Sequence, residues 1–189
     1  MTDFELKTAE NATDEGRAAL ERAQAAFDFA PNLVKVLANA PAAAHAYLDL
    51  GERLESTSLS PQERQVVLLA TSFEHQCEYC MAAHSMVAGM VGIEDDDLRA
   101  LREGKELPTP RLEALRRFTR AVVEKRGNVD DADLRRFREA GFEKAQILEV
   151  ILGVAMKTLS NYTNHIAGTP LDEAFEAQRW QAPLTVAAG

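Results

Sequence analysis

The chain has 189 residues, 46% of them hydrophobic and 27% charged, and a formal net charge of −9. That composition supports one buried core and a single domain spanning residues 1–189, and the acidic balance excludes general nucleic-acid binding, which needs a basic face. No apolar run is long enough for a membrane span, and the MTDFELKTAE start lacks a basic and apolar leader, so a cytoplasmic protein is expected.

Nearly every segment reads as helix. Thr13 or Asp14 caps an Ala-, Arg- and Glu-rich run that ends at Phe29. Pro31 and Pro41 suit the first turns of two further helices, Asn32 to Ala38 and Ala42 to Glu55. On the second of these, His45 and Tyr47 read as packing or solvent-facing groups. Ser60, Pro61 and Glu63 spell a capping box for a helix carrying Val66, Val67, Leu69, Ala70 and Phe73. A new helix is predicted from Cys77 to about Met90, with Gly89 and Gly92 at its end. The acidic run Glu94 to Asp97 reads as the first turn of a short helix. Thr109-Pro110 starts another over Arg111 to Arg126, and Asp130 caps Asp131 to Ala140. The longest helix is predicted from Glu143 to about Ile166, with Ile147, Val150, Ile151, Val154 and Leu159 at helical spacing. A last helix is expected from Leu171 to Trp180, followed by a mobile tail. No stretch alternates with the period of a strand, so the fold class is all-α.

The only two cysteines, Cys77 and Cys80, stand with His84 in C-x-x-C-x-x-x-H. On a helix, residues three and four apart share a face, so two thiols and an imidazole fall in one column. In a cytosolic chain such a pair points to thiol chemistry or a metal site more than to a structural staple. A thiol at a helix N-terminus has a lowered pKa, which favours Cys77, whereas His84 one turn on can activate Cys80. Two cysteines at this spacing can cycle between dithiol and disulfide. The alternative is a non-enzymatic metal-binding or redox-sensing module on Cys77, Cys80 and His84, with a fourth ligand from Glu74, His75, His45 or His165.

The string LSPQERQVVLLATSFEHQCEYCMAAHS, Leu59 to Ser85, resembles the alkylhydroperoxidase D-like branch of the carboxymuconolactone decarboxylase family. That family's hallmark is a glutamate on the preceding helix followed by C-x-x-C-x-x-x-H. A weaker likeness extends through PNLVKVL at Pro31 to Leu37 and MKTLSNYTNH at Met156 to His165. The resemblance implies an all-helical bundle assembled as a homo-oligomer, a trimer or hexamer, and a thiol-dependent peroxidase or disulfide relay without cofactor or metal. It places the peroxide-reacting thiol at Cys80, the resolving thiol at Cys77 and the proton-relay histidine at His84. The partners implied are a peroxide and an external dithiol or redox protein.

Two departures stand out. The family's glutamate falls on Gln65, which cannot accept a proton as a base. The family's histidine between the cysteines is also missing, with Glu78 and Tyr79 there instead. Glu74, nearest in sequence to the thiols, is the expected substitute carboxylate, ahead of Glu63. His165, with Asn161 and Asn164, is a candidate to face the site across a protomer contact, or else packs.

Overall fold

The computed structural model describes residues 4–183. Among them are nine α-helices, one 3-10 helix and no strand, as the all-α reading expects. They are α1 (Asp14–Phe27), α2 (Asn32–Leu37), α3 (Pro41–Glu55), α4 (Pro61–Glu74), α5 (Glu78–Met90), α6 (Asp95–Glu103), α7 (Pro110–Glu124), α8 (Asp131–Glu139) and α9 (Lys144–Ala167). Their starts follow the predicted caps. The Thr13 hydroxyl accepts from the Gly16 amide, Ser60 and Glu63 close both arms of a capping box, and Asp130 and Asp133 form another.

The expected last helix contracts to a 3-10 helix at Glu173–Gln178. Between Pro170 and Pro183 there is too little chain to offset the cost of an α-helical nucleus, and Phe175 is the anchor that packs inward. The expectation of a mobile tail falls largely on residues 184–189, outside the described residues.

α4 is the central element and packs against α5, α7 and α9. Its VVLLATS run is buried on all sides, and Thr71 and Ser72 satisfy their hydroxyls on the carbonyls of Val67 and Leu68, each at 2.8 Å. α9 crosses α4 at Gly153, where an added Cβ would meet Val67 Cγ1 at 2.7 Å. The missing side chain lets the two backbones approach, and it does so one turn before Lys157.

α9 differs from its sequence reading. Val150 is buried, yet Ile151 is exposed, and the inner face of the C-terminal half is polar. Lys157, Ser160, Asn161 and Asn164 are spaced three, four and seven residues from the first, so they share one face. All four are buried.

Candidate functional site

The turn between α4 and α5 sets the first thiol. His75 caps α4, the Gln76 amide donates to the Phe73 carbonyl and the Cys77 amide to the Ser72 carbonyl, both at 2.9 Å. This is a Schellman closure, with Gln76 at φ 56° in the left-handed position that glycine usually fills. The closure leaves Cys77 as the N-cap of α5, so Cys80 lies in its first turn and His84 in its second. Both thiols are free, and each is 1% exposed.

α9 supplies the other wall. The Asn164 amide donates to Cys80 Sγ at 3.2 Å and to Cys77 Sγ at 3.7 Å. The Ser160 hydroxyl lies 3.9 Å from Cys80 Sγ. Lys157 Nζ lies 3.0 Å from His84 Nε2, and Gln65 Oε1 lies 3.0 Å from His84 Nδ1. A lysine ammonium only donates and an amide oxygen only accepts, so the two contacts agree on one tautomer. Nε2 accepts from Lys157, and Nδ1 carries the proton that goes to Gln65. Asn161 and Asn164 each leave a buried Oδ1 without a partner, and the Asn161 amide nitrogen sits 3.1 Å from His75 Nδ1.

The electrostatics separate the two sulfurs. Burial alone would push the Cys80 thiol up. Against it act the neighbouring Cys77 thiol, the Lys157 ammonium and the Ser160 hydroxyl, and together they hold Cys80 below the ordinary thiol range. The hydrogen bond to Cys80, together with burial, pushes the Cys77 thiol up. The lower pKa of the pair thus falls on Cys80 and the higher on Cys77, the reverse of what the helix dipole alone favours. Burial and then the Lys157 charge push His84 well below its usual value, so the ring is neutral.

Glu74 is not brought to the thiols. Its carboxylate turns to α7, 3.3 Å from Arg120, and burial raises its pKa. Being close in sequence did not make it close in space, because each helical residue rotates the side-chain direction and position 74 faces α7. Glu63 stays in its capping box and pairs with Arg111 at 2.7 Å. His45 bonds Arg22 and the Glu15 carbonyl on the outer side of α1 and α3, and His165 is exposed. Asn161 and Asn164 face the site from within the same protomer. Among the described residues, no three carboxylate, thiol or imidazole groups converge as a metal site would need. The ligand set of the metal-binding alternative is therefore not assembled.

Tyr47, read from sequence as packing or surface, is buried beside the thiols. Burial, then the charges of Cys80 and Cys77, push its hydroxyl up. It helps to line a cavity of about 270 Å³ with Leu33, Tyr79, His84, Met86 and Phe175. The Tyr79 hydroxyl donates to Asp172 at 2.5 Å, and Asp172 accepts the Asn32 amide at the start of α2, so the residue between the cysteines fastens the cavity wall.

The family model described as the carboxymuconolactone decarboxylase family matches residues 41–121. The segment holds both cysteines, Gln65 and His84, but not α9. The fold is similar to the alkylhydroperoxidase AhpD core, an uncharacterized peroxidase-related protein from Ralstonia eutropha JMP134, with TM-score 0.79, 24% identity, and coverage of 91% of this chain and 93% of that one. It is also similar to the debrominase Bmp8, at TM-score 0.77, 15% identity and coverage of 94% and 96%. A peroxidase-related protein from Silicibacter sp. TM1040 gives TM-score 0.74 at 18% identity, with 92% of each chain covered. These likenesses place the chain in the alkylhydroperoxidase D-like all-α fold. No curated protein matches the chain significantly.

Sequence reasoning found Cys77, Cys80, His84 and Gln65 because they lie in one contiguous motif. It missed Lys157 and Ser160. Their signal was K-x-x-S-N-x-x-N at 157–164, a polar stripe interrupting an apolar helix face.

Proposed function

We propose that the chain is a thiol-dependent oxidoreductase that reduces a peroxide with Cys80 and resets itself through Cys77. The observation that carries this reading is the buried Cys80 sulfur, which accepts a hydrogen bond from the Asn164 amide at 3.2 Å, has the Ser160 hydroxyl at 3.9 Å and feels the charge of the buried Lys157. Cys80 thiolate attacks the peroxide, forming an S–O bond as the O–O bond breaks, and becomes sulfenic acid. The leaving oxygen takes up a proton. Cys77 then attacks Cys80; a disulfide forms and the sulfenic oxygen leaves as water with the Cys77 proton. An external dithiol returns two electrons and two protons. Likeness to peroxidase-related proteins and to a debrominase supports an enzyme on this fold, and the first of these favours peroxide.

Cysteine variants test it. Cys80→Ser abolishes peroxide consumption, whereas Cys77→Ser lets sulfenic acid form at Cys80 and stops turnover. Mass spectrometry after limiting peroxide reads both. Sulfenic acid confined to Cys77 in the unmodified protein reverses the assignment, and no oxidation of either cysteine removes the peroxidase reading.

A further inference from the structure

We propose that Lys157 is the resident cation and acid of this site, holding Cys80 as a thiolate and giving the leaving oxygen its proton. The inference rests on the peroxidase reading above and assigns a residue outside the matched family segment.

A fully buried lysine is costly unless an anion compensates it, and its stem is long enough to reach solvent where the fold allows. Lys157 stays inside at 0% exposure. Its ammonium meets the neutral His84 ring at 3.0 Å, on the face of α9 whose Asn164 and Ser160 touch the Cys80 sulfur, and its charge acts on that sulfur. The titratable groups that interact with it are Cys77 at the cap of α5, Cys80 and His84 within α5, and His75 from the end of α4; Tyr47 of α3 stands on the far side of the two sulfurs' charges, and Gln65 is the neutral amide bonded to His84. None of these is a carboxylate. The sulfur of Cys80 is therefore the anion that Lys157 is built to meet, and no general base is needed to make the nucleophile.

The same arrangement recasts His84. With Nε2 accepting from Lys157 and Nδ1 donating to Gln65, the ring has no free nitrogen for Cys80. His84 positions the ammonium instead of relaying the thiol proton.

The proton count closes. Sulfur attack on ROOH leaves RO⁻, which takes a proton from the Lys157 ammonium and departs as ROH. Lys157 is then a neutral amine beside a sulfenic acid, which Cys77 converts to the disulfide with loss of water. The external dithiol brings two hydrogens. One returns to Cys77 and one to Lys157, and Cys80 is again a thiolate.

Lys157→Met and Lys157→Arg separate the two roles. Met keeps the stem and drops the charge, and the sulfur of Cys80 can take up a proton in place of the lost cation. Arg keeps the charge but does not release a proton. The readouts are iodoacetamide labelling of Cys80 against pH, located by mass spectrometry, and peroxide turnover. The unmodified protein should label with a midpoint below neutrality. Lys157→Met should move that midpoint up by at least a unit, a loss of about tenfold in rate on the acid side. Lys157→Arg should keep the low midpoint and lose turnover. Labelling of Lys157→Met with the unmodified protein's midpoint overturns the proposal. If Lys157→Met fails to fold, the thiolate ultraviolet absorbance of the unmodified protein decides, since titration in the ordinary thiol range overturns the proposal equally. A midpoint shift without peroxide consumption by the unmodified protein removes the peroxidase reading and leaves Lys157 as the thiolate's cation.

Discussion

His84 donates its Nδ1 proton to the amide oxygen of Gln65, 3.0 Å away, at the position where a glutamate would stand in the family pattern. An amide accepts that proton without taking it, so the ring stays neutral and keeps Nε2 as an acceptor for Lys157. Gln65→Glu should reverse this. A buried carboxylate beside Nδ1 favours the imidazolium and raises the His84 pKa from its depressed value. An imidazolium has no lone pair for Lys157 and repels it, so Cys80 loses part of its cation. Ring-proton NMR should show His84 titrating at higher pH, and Cys80 labelling should slow on the acid side. An unmoved His84 titration would show that Gln65 does not control the ring.

The carboxylate expected from sequence to serve the thiols is engaged elsewhere. Glu74 pairs with the half-exposed Arg120 at 3.3 Å. Glu74→Gln should leave the pH profile of Cys80 labelling unchanged and cost roughly 0–1 kcal/mol of stability, the range for partly solvated ion pairs. Labelling rates and urea denaturation measure the two effects. A shifted labelling midpoint would return Glu74 to the proton pathway.

The contrast between Glu74 and Lys157 shows what was legible. Helix starts were readable because caps are local chemistry: Ser60 and Glu63 lie three residues apart and bond each other. Cys77, Cys80 and His84 were readable because helical spacing puts them on one face. Lys157 lies 73 residues beyond His84 and reaches it only through the packing of α9 on α4 and α5. No local rule carries that information. A lysine in an amphipathic helix defaults to a solvated face, and only its neighbours Ser160, Asn161 and Asn164 mark the stripe as inward. Gln65 was identified by position, but its effect depends on which nitrogen of His84 it meets.

Acid should destabilise the fold through the site. His84 has its pKa depressed by burial, and so does His75. Below the ordinary histidine value of 6.5 the unfolded chain binds protons that the folded chain refuses, so stability is present above that pH and lost as pH falls. Cys80 adds the same sign, because its depressed pKa favours the folded state until acid protonates the sulfur. Glu74, with its raised pKa, offsets a little of this at lower pH. Each uncompensated proton contributes up to about 1.4 kcal/mol per pH unit. Urea denaturation between about pH 7 and pH 5 should show stability falling, with a slope reduced by close to one proton in His84→Phe. A slope that His84→Phe leaves unchanged would mean that His84 is protonated in the fold.

Assembly is the last expectation that the structure sharpens. Apolar side chains beyond what one inner face can hide are what a second copy would cover, and α7 offers no such surplus in Leu115, Phe118 and Val122, which are buried. On α9 the surplus stays outside: Leu148 is 69% exposed, Ile151 45% and Tyr162 50%. Residues 148 and 162 are two heptads apart and 151 follows 148 by three, so the three lie on one side of the helix. The opposite side carries Lys157, Ser160 and Asn164 toward the thiols. We propose that a second copy of the chain covers the outer side, because an apolar row of this length gains from burial and self-association supplies a complementary row. Light scattering at micromolar concentration should therefore report a homo-oligomer. Leu148→Glu with Ile151→Glu should shift it to a smaller species without unfolding, since both side chains point away from the core. A monomer in the unmodified protein, or an unchanged mass in the double variant, would place any assembly on another surface.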